Sequence, residues 1–294
     1  MVRSMSGILS YQPYALPFRV PLRTAHGRWE DRQGFWLKWE SVEGVLRGEA
    51  APIPGFGGAS LTELAAGLRQ LGETPSPSEW EQAIARGGEL AFALGSLHCD
   101  WRALLAEGPD YISVAGLLPA GKPAFARAEP LLEMGFRTFK WKVGVADPRD
   151  EQGMLDDLLS RMPDRVQLRL DANGAWDRRT AERWLSLAAE RPQIEFIEQP
   201  CAADDVDLIM GLAQDFPVTL ALDEAVLISS ALETRIGARI VMAVAFALAD
   251  TARAAGLGVW PLFVDGAHDA PTALPFLQRE TVLSLDAAVG EGIA

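Results

Sequence analysis

Up to about Gly57 the apolar residues fall in short runs, FRVPL, GFWLKWES and GVLRGEAA, broken by turns that contain Gly or Pro. That pattern predicts an antiparallel meander. From Ser60 to about Glu107 the period changes, and LTELAAGLRQL and WEQAIARGGELAFALGSLHCDWRALLA carry apolar residues at helical spacing, with Ser60 as an N-cap. Strands followed by helices predict an α+β domain over 1–108. Beyond Tyr111 the runs ISVAGLL, TFKWKV, VQLRLD, IEFIE and VTLALDE alternate with stretches long enough for one helix each. Repeated strand–helix units predict an α/β domain over 109–274 built on a parallel sheet, either open or closed into a barrel. No GxGxxG or GxxxxGK loop follows the first of these strands, which favours the barrel. The tail 275–294 is expected to pack back on the α+β domain.

Composition narrows the class of protein. At 294 residues, with 49% hydrophobic and 23% charged, the chain can bury two cores, and disorder is excluded as a default. Its 27 basic and 40 acidic residues leave a net charge of −13, which opposes non-specific attraction to nucleic acid or anionic lipid and favours a small-molecule partner. Cys99 and Cys201 each stand alone without a CxxC companion, so neither a disulfide framework nor a zinc site is indicated, and a reducing, cytoplasmic setting is expected. The N-terminal segment has no sustained apolar h-region and nowhere do about 18 uncharged apolar residues run together, so neither secretion nor membrane spanning is expected.

Candidate chemistry gathers at strand ends. Asp171 in LRLDANG, Glu198 in EFIEQP and Asp223 in LALDEA end three successive predicted strands. In a parallel barrel such ends converge on one face, and three carboxylates there need a cation. Oxygen-only donors suit a hard ion, and three with room for water fit octahedral Mg²⁺. A single acid in that position also serves to cap the next helix, and it is the succession of three that favours the metal. One unit earlier, Lys140 and Lys142 share a face of the strand TFKWKV while Trp141 points the other way. Positive charge and partial burial would make one lysine available as a neutral base, the other staying cationic beside a developing enolate. A bare KxK equally suits a solvated edge strand, and the three acids that follow decide for the site.

KWK, LDANGAW, FIEQP and LDEA, in that order, resemble the motif set of the enolase superfamily's muconate-cycloisomerase-like branch. The fold of that branch is an α+β capping domain on a modified (β/α) TIM-type barrel. Within it, YALPFRVPLRTAHG, GEAAPIPGFG and SSALETRIG are most similar to the o-succinylbenzoate synthases. The resemblance covers nearly the whole chain. It implies a syn-dehydration of 2-succinyl-6-hydroxy-2,4-cyclohexadiene-1-carboxylate to 2-succinylbenzoate, in menaquinone or phylloquinone biosynthesis. It implies further that Lys142 abstracts the proton α to the carboxylate and later protonates the departing hydroxide, while Lys140 assists the charged intermediate. Asp171, Glu198 and Asp223 would hold Mg²⁺, with Mn²⁺ as a substitute, and the metal would stabilise an enediolate. Asn173 and Glu224 would orient those ligands. Ser229, Ser230, Thr24 and Gly55 would enclose the small-molecule carboxylate, although these are also ordinary turn residues. A monomer is compatible with this reading.

The chain departs from the family pattern in one respect. The pattern places a further lysine at the end of the sixth barrel strand, opposite the KxK pair, and no lysine follows Lys142. Between Asp223 and Leu227, which opens what resembles the seventh strand, stand only Glu224, Ala225 and Val226. Three residues reach about 10 Å, whereas a parallel crossover takes a dozen or more. A helix, the sixth strand and its lysine are therefore expected to be missing near Glu224, unless Leu227–Ser230 is not a strand. Without that lysine a second reading stays open, a barrel that binds metal or ligand and does not turn over. N-acylamino acid racemization and cycloisomerization share the ligands, but racemization needs bases on both faces and is disfavoured.

Overall fold

The computed structural model describes residues 6–24, 27–54, 58–222, 234–249, 254–258, 262–269 and 274–288. β1 (Gly7–Thr24), β2 (Gly27–Ser41) and β3 (Gly44–Ala50) form the expected antiparallel meander in the order β1-β2-β3. Leu9, Leu37 and Trp39 turn one face of it toward α1 (Leu61–Leu71), α2 (Pro77–Ala85) and α3 (Gly88–His98), with Leu68, Trp80 and Leu94 facing them. Ser60 caps α1 as the sequence predicts, in a reciprocal capping box with Glu63, and Ser76 and Glu79 repeat the device on α2. His98 is a packed helix residue, edge-on to Trp80 and Trp39 at 4.8 and 5.7 Å.

The next helix corrects the expected boundary. α4 (Trp101–Glu107) was expected with the α+β domain, yet Trp101 and Leu105 are buried in the other core, against α9 (Arg235–Ala247). That core belongs to six parallel strands that curl into a half-barrel: β4 (Tyr111–Leu118), β5 (Thr138–Lys142), β6 (Gln167–Asp171), β7 (Ile194–Glu198), β8 (Leu220–Ala221) and β9 (Ala255–Gly258). The order is β9-β4-β5-β6-β7-β8, each neighbour pair parallel. α5 (Pro123–Glu133), α6 (Pro148–Ser160), α7 (Arg178–Ala189) and α8 (Val206–Asp215) are the crossovers. Asp205 caps α8, as the acidic stretch after Cys201 suggests. At the third of these crossovers Trp176 stacks on Trp184 of α7, centroids 5.1 Å apart and planes within 7°.

The tail is a second correction. Expected to return to the α+β domain, it instead adds β10 (Phe276–Gln278) antiparallel to β4 and packs α10 (Arg279–Ala288) on α9, with Leu277, Val282 and Leu285 buried in the barrel core. Among the described residues β8 and β9 are the edges of the parallel sheet, and the stretch from Asp223 to Leu227, with its expected missing crossover, lies outside them.

Candidate active site

Three functional side chains share one layer because the strand register puts them there. Lys142 pairs with Asp171 across β5 and β6, and Asp171 pairs with Glu198 across β6 and β7. Alternation then sends Lys140 the same way as Lys142, while Trp141, 1% exposed, goes into the core. The Lys140 ammonium sits between both carboxylates, 2.6 Å from Glu198 Oε1 and 3.1 Å from Asp171 Oδ2. Lys142 Nζ lies 3.1 Å from Asp171 Oδ2 and donates to Asn173 Oδ1 at 2.5 Å.

The two lysines differ in surroundings. The Lys140 side chain is 13% exposed and that of Lys142 is 50% exposed, so Lys142 is the one open to an incoming molecule. Burial pulls the Lys140 pKa down, but Asp171 and Glu198 outweigh it and hold the ammonium above the ordinary lysine value. Burial pushes Asp171 up, and the Lys140 and Lys142 charges outweigh that too, holding the carboxylate below its ordinary range. Lys140 is thus a fixed cation and Asp171 a fixed anion at neutral pH.

Sharp turns behind the ligands shape the rim. Asn173 and Gln199, two and one residues after Asp171 and Glu198, adopt left-handed backbone at φ 46° and 40°. Asn173 N–H donates to Asp171 Oδ1 at 3.2 Å, Gly174 N–H donates to Gln199 O at 2.6 Å, and Gln199 Nε2 donates to Cys201 O at 2.9 Å. The turn that carries Asn173 is thereby tied to the one that follows Glu198.

Asp223, Glu224, Ser229, Ser230 and Gly55 lie outside the described residues, and Thr24 is placed only as the last residue of β1. Among the described residues no group of three or more His, Cys, Asp or Glu side chains stands ready for a metal. Asp171 and Glu198 do suit a cation: both are buried, and the gap between their oxygens already holds an ammonium.

Three supporting groups escape the sequence reading. Glu151, fully buried in the first turn of α6, accepts from the N–H groups of Gly144, Val145 and Ala146 just beyond Lys142. Glu49, from β3, accepts from Tyr14 Oη at 2.5 Å, Thr234 Oγ1 at 2.7 Å and Gly237 N–H at 2.8 Å, and so caps α9 from the other layer. Arg32 donates to the carbonyls of Ala51 and Pro52. A buried charge whose partners are set by a loop conformation, as for Glu151, or by other segments, as for Glu49 and Arg32, leaves no spacing to find.

Residues 124–274 match the family described as Enolase C-terminal domain-like. The chain is 36% identical over 220 residues to an o-succinylbenzoate synthase of Thermosynechococcus vestitus, covering 72% of this chain and 67% of that one. It is 29% identical over 218 residues to the o-succinylbenzoate synthase of Vibrio cholerae, covering 72% of this chain and 63% of that protein. The matched stretch thus spans about two thirds of the length of these relatives. A crystal structure of o-succinylbenzoate synthase from Thermosynechococcus elongatus BP-1, with Mg in its active site, superposes at a TM-score of 0.74 and 29% identity, covering 91% of this chain and 96% of that one. With a family match over residues 124–274 and a relative 36% identical, the chain belongs to the enolase superfamily, with o-succinylbenzoate synthases among its relatives.

Proposed function

We propose that this chain is an o-succinylbenzoate synthase, a carbon–oxygen lyase that dehydrates 2-succinyl-6-hydroxy-2,4-cyclohexadiene-1-carboxylate to 2-succinylbenzoate. The observation that carries the reading is the register of Lys142, Asp171 and Glu198 across three neighbouring strands, in a chain 36% identical to a protein of that name. Asp171 and Glu198 would hold Mg²⁺, as the Mg-bound neighbour suggests, and Asp223, two residues beyond Ala221, which pairs with Glu198, is the third candidate ligand. When bound, the metal supplies Lewis-acid stabilisation of negative charge on the substrate carboxylate.

The chain's own groups do the rest. The Lys142 amine takes the proton from the carbon α to the carboxylate, and the C–H electrons move toward that carboxylate. Collapse of those electrons forms the ring double bond and breaks the C–O bond of the hydroxyl. The proton on Nζ goes to the departing hydroxide, which leaves as water. In a syn elimination the proton and the hydroxyl leave from one face, so a single base serves both transfers. Racemization needs bases on both faces and fits less well, because no lysine follows Lys142. Lys140, held as a cation between Asp171 and Glu198, keeps two buried acids from repelling each other.

The test is turnover of the cyclohexadiene substrate followed by chromatography of 2-succinylbenzoate. Turnover should stop with EDTA, return with Mg²⁺, and fall by about 10³ or more in Lys142→Ala. The absent opposing lysine favours the second reading, a barrel that binds metal without catalysis. Mg²⁺ that stabilises the protein with no product formed would decide for it.

A further inference from the structure

We infer that Glu151 is a positioning residue for Lys142, acting through the loop that joins β5 to α6; the inference rests on Lys142 being the base. Glu151 is 0% exposed. Its Oε2 accepts from Gly144 N–H at 2.8 Å, and its Oε1 accepts from Val145 and Ala146 N–H at 3.1 Å each. Consecutive backbone N–H groups converging on one anion form a nest, and their hydrogen bonds offset the cost of burying the carboxylate while fixing the loop that donates them.

Capping α6 does not require it, because Asp147 already caps that helix by accepting from Arg149 N–H at 2.9 Å. What Glu151 does hold begins one residue past Val143, itself adjacent to Lys142. On its other side the same loop is pinned to β6: Val143 N–H donates to Asp171 O at 2.9 Å. Gly144, at φ 78°, runs so close to the turn carrying Asn173 that a Cβ on it would lie 2.9 Å from Ala175 Cβ. The loop is therefore clamped between the first turn of α6 and the end of β6. Asp171 and Asn173, the two groups that hold Lys142 Nζ, stand on the β6 side of that clamp. The Lys142 side chain is half exposed, so packing does little to place it, and the position of its strand end does most.

Glu151→Gln keeps the shape but turns an amide N–H₂ toward at least one of those N–H donors. Leu155→Ala, a cavity in the same helix at a residue 1% exposed, is the control for stability alone. Two readouts are compared at a temperature where all variants are folded. The first is modification of lysine amines by acetic anhydride, read by peptide mass spectrometry. In Glu151→Gln, Lys142 should label several-fold faster while part-exposed Lys38 on the other sheet is unchanged, and Leu155→Ala should match wild type. The second is steady-state dehydration, in which Glu151→Gln should lose about ten- to a hundredfold in kcat with KM nearly constant. Wild-type labelling and kcat in Glu151→Gln, or the same changes in Leu155→Ala, would overturn the inference. If Glu151→Gln does not fold, Glu151→Asp, which keeps the charge and shortens the reach, carries the same comparison. Should wild type fail to dehydrate the substrate, the proposed function falls, and the labelling result still decides whether Glu151 places Lys142.

Discussion

Asp171 is the residue on which the site's charges meet, and its ionisation has a consequence for stability. Because Lys140 and Lys142 hold its carboxylate below the ordinary range, its contribution is complete above about pH 4 and is lost as pH falls through the lower folded-state value. Lys140 behaves in the opposite sense: its pKa is raised, so its contribution is complete below about pH 10 and fades as pH rises through the higher folded-state value. Asp171→Asn should therefore cost roughly 3 kcal/mol between those limits, with the difference from wild type narrowing at both extremes. Urea unfolding midpoints across pH measure this directly. Gly144→Ala is a second residue-scale prediction. It combines a left-handed φ with contact against Ala175 and should destabilise by more than about 1 kcal/mol, read as a lower thermal midpoint. That Lys140, Lys142, Asp171 and Glu198 meet in one layer was legible in the sequence, because strand alternation and strand-end position are local properties. Glu49 and Arg32 were not, because their partners come from other segments, and Glu151 was not, because the nest it fills is a loop conformation with no sequence spacing of its own.

Among the elements, α9 depends most on something outside itself. Its N-cap Thr234 is buried, and the carboxylate that receives Thr234 Oγ1 and Gly237 N–H comes from β3 of the antiparallel layer. An anion at a helix N-terminus is favoured by the dipole, and here it also ties two layers together. Glu49→Ala leaves Tyr14, Thr234 and Gly237 without that acceptor and should cost about 3 kcal/mol. Ser76→Ala, which removes one exposed capping box, should cost only about 1 kcal/mol. Chemical denaturation of the two variants side by side tests the contrast. Periodicity predicted the strands and helices as far as β8, where apolar and polar positions alternate cleanly, and gave no reading of α9, β9, β10 or α10. It misassigned α4 and the tail because an apolar face fixes that an element is buried and leaves open which core receives it; Trp101 and Leu277 would satisfy either.

At the scale of the molecule, two hydrophobic cores meet along a seam that includes Glu49 with α9, and Phe18 with Phe263. A ligand bound only by the folded chain should stabilise the whole. Mg²⁺ at a hundred times its dissociation constant should add about 2.7 kcal/mol, and the rise in thermal midpoint should vanish in Glu198→Gln. The order of β4 to β8 could be read from the succession of strand–helix units, whereas the places of β9 and β10 could not, because strands of four and three residues carry too little pattern. The stacked indoles of Trp176 and Trp184 give the molecule an optical handle of its own. Two parallel rings at 5.1 Å couple their electronic transitions, and Trp176 Nε1 lies 3.2 Å from where a Gly144 side chain would begin. Ultraviolet circular dichroism of the unlabelled protein should therefore report on the loop behind Lys142, so that added Mg²⁺ can be followed as a change in the indole signal rather than as a product.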